Sequence, residues 1–139
     1  MSTPTQKPLA GLEVLVVEDD ADAREVLGFM FRRLGARIRE VASAAEALNE
    51  YHQLRPQVLV SDISMPGEDG ISLITKIRAE ERREGGAPLA AIALSGFTEP
   101  ELRSQALAAG FQVLLFKPIE PEALRDAVLS VLPGREAVN

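Results

Sequence analysis

The sequence contains no cysteine. This absence excludes disulfides, thiolate zinc sites, iron–sulfur clusters and cysteine nucleophiles, and it is compatible with a reducing cytosol. Positive charge is also scarce, since 15 Lys and Arg stand against 21 Asp and Glu, for a net charge of −6. Because nonspecific binding to a phosphate backbone needs a clustered positive field, we expect no direct nucleic-acid binding. Residues 1–8 lack an apolar run, so we expect no signal peptide, no membrane insertion and a cytoplasmic location.

The length and composition predict a single globular domain. The chain has 139 residues, of which 46% are hydrophobic and 26% charged, and domains of this size commonly have one core. Neither end carries a pattern that could bury apolar side chains. We therefore predict a flexible N-terminal tail over residues 1–10, a domain over residues 11–133 and a flexible C-terminal tail over residues 134–139.

Five short apolar runs predict five β-strands. Four of them are continuous rather than alternating, which is typical of strands covered on both faces in a parallel sheet. The second run alternates, which favours an edge strand. The runs are Val14–Val17, Ile38–Val41, Val58–Val60, Ala91–Leu94 and Val113–Phe116.

Helical patterns lie between these runs. The third helix is predicted to begin after Asp69-Gly70, and the first is predicted to end at Gly35. Strands and helices that alternate in this way indicate a doubly wound α/β fold with a parallel sheet, whose functional site lies at the carboxyl ends of the strands. The first helix has one apolar face, formed by Ala23, Val26, Leu27, Met30 and Leu34.

Capping chemistry marks three further helix starts. In a capping box, a Ser or Thr and a Glu three residues later satisfy each other's backbone N–H groups. Ser43 with Glu46 and Thr98 with Glu101 match this pattern. Pro121 suits the first turn of the last helix, where its missing N–H costs nothing.

Acidic residues collect where strands are predicted to end. Glu18, Asp19 and Asp20 follow the first strand, and Asp62 follows the third. Carboxylates that share a cleft repel one another unless a cation intervenes, and an oxygen-only site suits Mg²⁺. The alternative is that the first three acids cap the first helix, whose N-terminus attracts anions. Capping explains Asp20 but not an acid at the end of another strand.

Two other strand ends add polar groups at the same edge of the sheet. The fourth strand ends at Ser95, and the fifth is followed by Lys117-Pro118. Lys117 is placed to point its ammonium group into the acidic cleft, where it could neutralise the acids or hold a phosphoryl oxygen. Taken singly, Lys117 could equally form a structural ion pair, and Ser95 alone is more typical of a turn or cap.

Taken in order, these motifs resemble a response-regulator receiver domain, over a region from about Leu12 to Leu132. The resemblance implies a flavodoxin-like fold with a five-stranded parallel sheet, in strand order 2-1-3-4-5, and helices on both faces. It rests on Glu18-Asp19-Asp20, Asp62, Met65-Pro66, Asp69-Gly70, Ser95 and Lys117-Pro118.

The resemblance also implies a role for each of these residues. Asp62 would be the phosphoacceptor, and Lys117 would neutralise charge on the transferring group. Ser95 would contact the bound phosphoryl group and move as the switch, and the Lys117–Pro118 peptide bond would be cis. Mg²⁺, with Mn²⁺ as an alternative ion, would be held by Glu18, Asp19, Asp62 and the backbone carbonyl of Ser64.

The sequence departs from the family pattern at two positions. Glu18 stands where Asp is commonest, and its extra methylene could place a water between carboxylate and metal. Leu114 stands where the family usually has Tyr or Phe, so we do not expect the aromatic readout of phosphorylation. Ser64 and Phe97 border the path of hydrolytic water and are expected to tune the lifetime of the phosphoryl group.

The resemblance implies a switch more than an enzyme, one that assists its own phosphorylation and dephosphorylation. A histidine kinase or a histidine phosphotransfer protein would supply the phosphoryl group, and the chain would be a monomer or a weak, phosphorylation-dependent dimer. Phrases around Asp62 and Gly110 look like those of receivers attached to hybrid sensor histidine kinases. Phe29 and His52 are predicted to be surface residues, and Glu80–Glu84 a solvated helix end.

Two other functions stay open on the sequence. A degenerate receiver would bind partners without being phosphorylated, which Leu114 allows but Asp62, Ser95 and Lys117 disfavour. A hydrolase with an aspartyl-phosphate intermediate, of the haloacid dehalogenase type, usually has a second Asp two residues after its nucleophile. Ser64 stands at that position, and the chain has no room for a substrate cap.

Overall fold

Strands and helices alternate along the chain. The structure is a computed structural model that describes residues 7–65, 67–96 and 100–132. Within these ranges, no helix combines the length and the apolar character needed to cross a membrane. The elements are β1 (Glu13–Val17), α1 (Ala21–Arg33), β2 (Arg37–Val41), α2 (Ala44–Leu54), β3 (Val58–Asp62), α3 (Gly70–Glu84), β4 (Ala90–Ser95), α4 (Pro100–Ala109), β5 (Val113–Phe116) and α5 (Pro121–Val131).

The five strands form one parallel sheet in the order β2-β1-β3-β4-β5. This confirms the predicted fold and strand order. Central strands β3 and β4 are buried along their whole length, as continuous apolar runs predict. Strand β2 is at an edge and its first four residues alternate between exposed and half-buried, in agreement with its alternating sequence.

Helices cover both faces of the sheet. On one face, α2, α3 and α4 pack over the side chains of Leu15, Val17 and Leu59. On the other, α1 and α5 pack over Val14 and Val16. Because successive residues of a strand point to opposite faces, each central strand contributes to both layers of the core.

The buried face of α1 differs from the predicted one. Val26 is 51% exposed, whereas Phe31, which the predicted face omitted, is fully buried together with Leu27 and Gly28. The spacing of four residues from Leu27 to Phe31 matches one helical turn. Val26 instead borders an apolar groove that also contains Pro118, so the apolar stripe of α1 is wider than the face that packs on the sheet.

Capping side chains fix the starts of the helices. Ser43 Oγ accepts from the Glu46 N–H at 3.1 Å, and Glu46 reaches back to the N–H of Ala42 at 2.9 Å, one residue before the position that a standard capping box uses. Asp69 caps α3 by accepting from the Ser72 N–H at 2.9 Å. Pro121 begins α5, as predicted. The predicted cap at Thr98 lies outside the described residues.

Part of the predicted N-terminal tail is packed on the domain. Leu9 is fully buried, and its N–H donates to the carbonyl of Leu34 at 2.8 Å. This contradicts the expectation that residues 1–10 bury nothing: a single leucine has no periodicity, but it fits between elements that lie far from it in the chain. The domain boundary near residue 11 stays a prediction, and residues 133–139 lie outside the described part.

Candidate functional site

The carboxyl ends of four strands place polar side chains at one edge of the sheet. β3 ends at Asp62 and β4 ends at Ser95, while Glu18 and Lys117 directly follow β1 and β5. Parallel register keeps these ends level, because Asp62 pairs with Leu94 beside Ser95. The site is therefore a direct product of the fold.

Lys117 joins two of the acidic residues. Its Nζ donates to Glu18 Oε1 at 2.8 Å and to Asp62 Oδ2 at 3.2 Å. Glu18 lies 99 positions from Lys117 in the chain, and Asp62 lies 55 positions from it. The predicted convergence of the acids and the lysine is present, and the Lys117–Pro118 peptide bond is cis, as the resemblance implies.

Burial and ion pairing shift the proton affinities of this network. Glu18 is 1% exposed, and this burial raises its pKa above 4.5 despite the hydrogen bond from Lys117. Burial alone would lower the pKa of Lys117, but its bonds to Glu18 and Asp62 outweigh this effect and raise that pKa. The ammonium group is therefore held in its charged form, as a partner for anionic oxygens requires.

Backbone groups orient the loop after Asp62. The Ser64 N–H donates to Asp62 Oδ1 at 3.1 Å, and the Ser61 hydroxyl donates to the Asp62 carbonyl at 2.9 Å. With Oδ2 on Lys117, both carboxylate oxygens of Asp62 are fixed. Asp62 is 5% exposed, so its carboxylate is largely shielded from solvent.

The carboxylates fit a hard divalent cation. One oxygen from each of Glu18, Asp19 and Asp62 lies within 4.8 Å of the other two. Anionic oxygen atoms are the donors that Mg²⁺ prefers, and three carboxylates face a single lysine in this network. Asp20 has another task, because its Oδ2 caps α1 by accepting from the Ala23 N–H at 2.8 Å. This confirms the capping interpretation for Asp20 alone.

The remaining predicted residues are placed as follows. Ser95 is fully buried at the end of β4, and its carbonyl accepts from the Lys117 N–H at 2.7 Å. The Ser64 side chain is exposed beside Asp62. Leu114 is 5% exposed and belongs to the core layer under α2, α3 and α4. Phe97 and Pro66 lie outside the described residues.

Sequence reasoning missed Arg24. Its Nη1 donates to the backbone carbonyl of Glu18 at 2.8 Å, so it braces the loop that carries the acidic residues. Its sequence signal is a cation in the first turns of a helix, where the helix dipole disfavours positive charge. That signal indicates a nearby acceptor but does not identify it.

Comparisons with known proteins agree with this geometry. Residues 14–129 match the model of the response regulator receiver domain. An uncharacterized 14.6 kDa protein from the sodA1 3′ region of Leptolyngbya boryana is 41% identical, over 81% of this chain and 84% of that protein. The virulence sensor protein BvgS of Bordetella bronchiseptica is 37% identical over 90% of this chain, which spans 10% of that protein. The chemotaxis protein CheY4 of Vibrio cholerae superposes with a TM-score of 0.79 at 27% identity, over 89% of this chain and 99% of that one.

Proposed function

Because the chain belongs to the response regulator receiver domain family, and so to phosphorelay signalling, we propose that Asp62 is its phosphoacceptor. The observation that carries this proposal is the position of the Asp62 carboxylate. It lies 3.2 Å from the Lys117 ammonium and beside two further carboxylates. The comparisons favour neither the hydrolase nor the docking module that the sequence left open.

In the proposed reaction, an oxygen of Asp62 bonds to the phosphorus of a phosphohistidine while the bond from phosphorus to the histidine nitrogen breaks. Lys117 is charged and already adjacent to Asp62, so it neutralises an oxygen of the arriving group without a large movement. Ser95, on the neighbouring strand, donates its hydroxyl to the bound phosphoryl group. To make this bond, Ser95 moves towards the phosphoryl group, and that movement is the proposed switch.

The acidic pocket would hold Mg²⁺, or Mn²⁺ as an alternative, through Asp19, Asp62 and the Ser64 carbonyl. A bound ion would supply charge neutralisation for the phosphoryl oxygens. Both oxygens of Glu18 already accept hydrogen bonds, from Lys117 at 2.8 Å and from the Asp20 N–H at 3.2 Å. This arrangement favours an indirect, water-mediated role for Glu18 at the metal.

The readout of phosphorylation would differ from the usual one. Leu114 is buried in the core and has no hydroxyl to exchange between partners. We therefore propose that the signal leaves the site through shifts of loops and helices, or that the chain relays phosphoryl groups. Ser64, exposed beside Asp62, is a proposed determinant of phosphoryl lifetime together with Phe97.

The proposed phosphodonor is a histidine kinase or a histidine phosphotransfer protein. We place the chain in the cytoplasm, where ATP supplies phosphoryl groups to such kinases, and we propose a monomer or a weak dimer that phosphorylation favours. The proposal includes no direct binding of nucleic acid, in line with the net charge of −6. The domain assists its own phosphorylation and dephosphorylation but turns over no separate substrate.

Phosphorylation can be tested with a small donor. With Mg²⁺ and acetyl phosphate, intact-mass spectrometry should show the addition of one acid-labile phosphoryl group. Asp62→Asn should abolish the adduct because the amide is a poor nucleophile. Asp126→Asn is the matched control, since that exposed carboxylate pairs with Arg125 on α5, and it should be labelled like the wild type.

Three results would contradict the proposal. If the wild type gains no adduct, the docking module becomes the better explanation. If the protein hydrolyses an unrelated phosphomonoester over many cycles, the hydrolase does. Labelling that persists in Asp62→Asn would assign the acceptor to another residue.

A further inference from the structure

We propose that Arg24 is a positioning residue for the metal-binding loop between β1 and α1, an inference that rests on the proposed function of that pocket. Arg24 lies one turn into α1, and its backbone N–H makes a helical bond to the Asp20 carbonyl at 2.9 Å. Its side chain turns back past the helix start to reach the Glu18 carbonyl at 2.8 Å. One residue thus ties the helix to both ends of the loop.

The position of Arg24 is unfavourable for the helix itself. The N-terminal end of a helix carries partial positive charge, and cations there are disfavoured. Here the cost is offset by a charge-assisted hydrogen bond to the Glu18 carbonyl, beyond the end of β1. Helix formation therefore does not account for Arg24, whereas support of the loop does.

The Glu18 carbonyl is a sensitive point for the metal site. The N–H of Glu18 still pairs with the Val41 carbonyl at 3.1 Å, so the backbone leaves the sheet at this residue. Asp19, the next residue, carries the exposed carboxylate of the acidic group. Fixing the carbonyl of Glu18 fixes the peptide plane that precedes Asp19, and so limits where its carboxylate can lie.

The groups on either side of the peptide between Glu18 and Asp19, which are the Glu18 side chain and the Asp20 N–H, are anchored as well. Glu18 Oε2 accepts from the Asp20 N–H at 3.2 Å, and Glu18 Oε1 is held by Lys117 at 2.8 Å. Without Arg24 the peptide between Glu18 and Asp19 would lose its partner on the carbonyl side. Residues that orient metal ligands in this way typically change metal affinity by about 10- to 100-fold when mutated.

The direction of the change in Mg²⁺ affinity distinguishes a positioning role of Arg24 from the effect of its positive charge. Arg24 is a cation near an anionic pocket, so Coulomb's law predicts that its removal strengthens Mg²⁺ binding. Loss of positioning predicts the opposite. The measurement is the Mg²⁺ dissociation constant by isothermal titration calorimetry, without any phosphodonor, so that the result does not depend on phosphorylation.

Arg24→Ala should raise the Mg²⁺ dissociation constant about tenfold, and Arg24→Lys should restore part of the loss because its ammonium can donate to the same carbonyl. Arg33→Ala is the matched control, since Arg33 is also on α1 but lies over the Phe29 ring, and it should bind Mg²⁺ like the wild type. In the metal-free protein, amide hydrogen exchange at Asp20 should be faster in Arg24→Ala than in Arg33→Ala. If Arg24→Ala does not fold, Arg24→Met keeps the aliphatic stem and replaces it in both measurements.

The proposal is overturned if Arg24→Ala binds Mg²⁺ as well as the wild type or more tightly, even if its melting temperature is lower. It is also overturned if Arg33→Ala weakens binding equally, or if Arg24→Lys is no better than Arg24→Ala. A failure of Asp62 to accept a phosphoryl group would leave these Mg²⁺ measurements intact, so the two proposals can fail separately.

Discussion

Glu18 is more deeply buried than Asp62, its neighbour in the acidic pocket, and both of its carboxylate oxygens accept hydrogen bonds. Its side chain is 1% exposed, one oxygen accepts from Lys117 and the other from the Asp20 N–H. The extra methylene of Glu, compared with Asp, gives its carboxylate the reach to make both bonds. Glu18 thus holds the lysine and the loop in place, and burial of its charge raises its pKa.

This raised pKa makes the stability of the metal-free protein depend on pH. The native protein binds the Glu18 proton more tightly than the unfolded chain, in which the pKa of this carboxyl group is 4.5. Stability falls with rising pH wherever the native state binds more protons. The contribution of Glu18 should therefore be complete below pH 4.5 and be lost as the pH rises through the folded pKa. Urea unfolding in EDTA, from about pH 4 to pH 8, measures it.

Glu18→Gln provides the comparison, because an amide does not titrate. The difference in unfolding free energy between wild type and Glu18→Gln should shift steadily against the wild type as the pH rises. Glu25→Gln, an exposed residue of α1, should run parallel to the wild type. A constant difference between wild type and Glu18→Gln across this range would contradict the prediction.

The sequence predicted the acidic residues and the lysine because each follows an apolar strand, and strand ends in a parallel sheet meet at one edge. It did not predict which backbone groups the side chains of the pocket would bind. The hydrogen bond from Arg24 to Glu18 joins a side chain to a backbone carbonyl. Because every residue has such a carbonyl, the residue types do not show which one is the acceptor. The surroundings of Glu81 were not predicted either. Glu81 was predicted as part of a solvated helix end, but its carboxylate accepts from Arg78 at 2.8 Å and its side chain is 11% exposed.

At the scale of elements, α3 begins directly against the end of β3. A Cβ on Gly70 would lie 2.6 Å from the Asp62 carbonyl oxygen and 2.9 Å from Ile63 Cα. Both atoms belong to the backbone, so neither can move without shifting the acceptor strand. The absence of a side chain at Gly70 therefore sets the distance between the helix and the proposed phosphoacceptor.

Gly70→Ala should lower the unfolding free energy by about 1–3 kcal/mol, the usual cost of inserting a methyl group into a packed interior. It should also slow labelling by acetyl phosphate, because relief of the clash displaces Asp62. Urea denaturation and intact mass measure the two effects. Gly96→Ala is the control, since its Cβ would meet nothing within 4 Å, and stability equal in both variants would contradict the argument.

Elements were predictable where pattern and geometry coincide. All five strands occur where apolar runs predict them. Central strands β3 and β4 have continuous apolar runs because they are buried on both faces, whereas the edge strand β2 alternates. The face of α1 was harder to predict, because Val26 and Phe31 are both apolar and only the packing distinguishes them. The contact between α2 and α3 was not predicted from the sequence either. His52 Nε2 lies 2.6 Å from Glu80 Oε2, although the two residues are 28 positions apart.

At the scale of the whole molecule, one residue of the described N-terminal segment, Leu9, is part of the core. Leu9 joins the layer between the sheet, α1 and α5, beside residues such as Phe31 and Val128. The Lys7 ammonium donates to the Arg33 carbonyl at 3.3 Å, so the segment also closes the end of α1. A domain that began at residue 11 would leave this part of the core open to water.

Leu9→Ala should lower the unfolding free energy by about 2–5 kcal/mol, the range for truncating a buried leucine. Leu107→Ala, at a leucine that is 38% exposed, should change it by no more than about 0.5 kcal/mol. Thermal and urea unfolding give both values. Labelling of the folded Leu9→Ala protein by acetyl phosphate should persist, because Leu9 is remote from the acidic pocket in the fold. A change below about 0.5 kcal/mol would show that the segment is dispensable.

The edge strand β2 also limits how the molecule can associate. Its outward residues Arg37 and Arg39 are charged and form ion pairs with Glu13 and Glu50. An incoming strand would have to strip water from these charges before it could hydrogen-bond to the backbone, which protects the sheet against edge-to-edge aggregation. Assemblies that include this chain should therefore not form through the free edge of β2, and concentrated samples should resist fibril growth from this side.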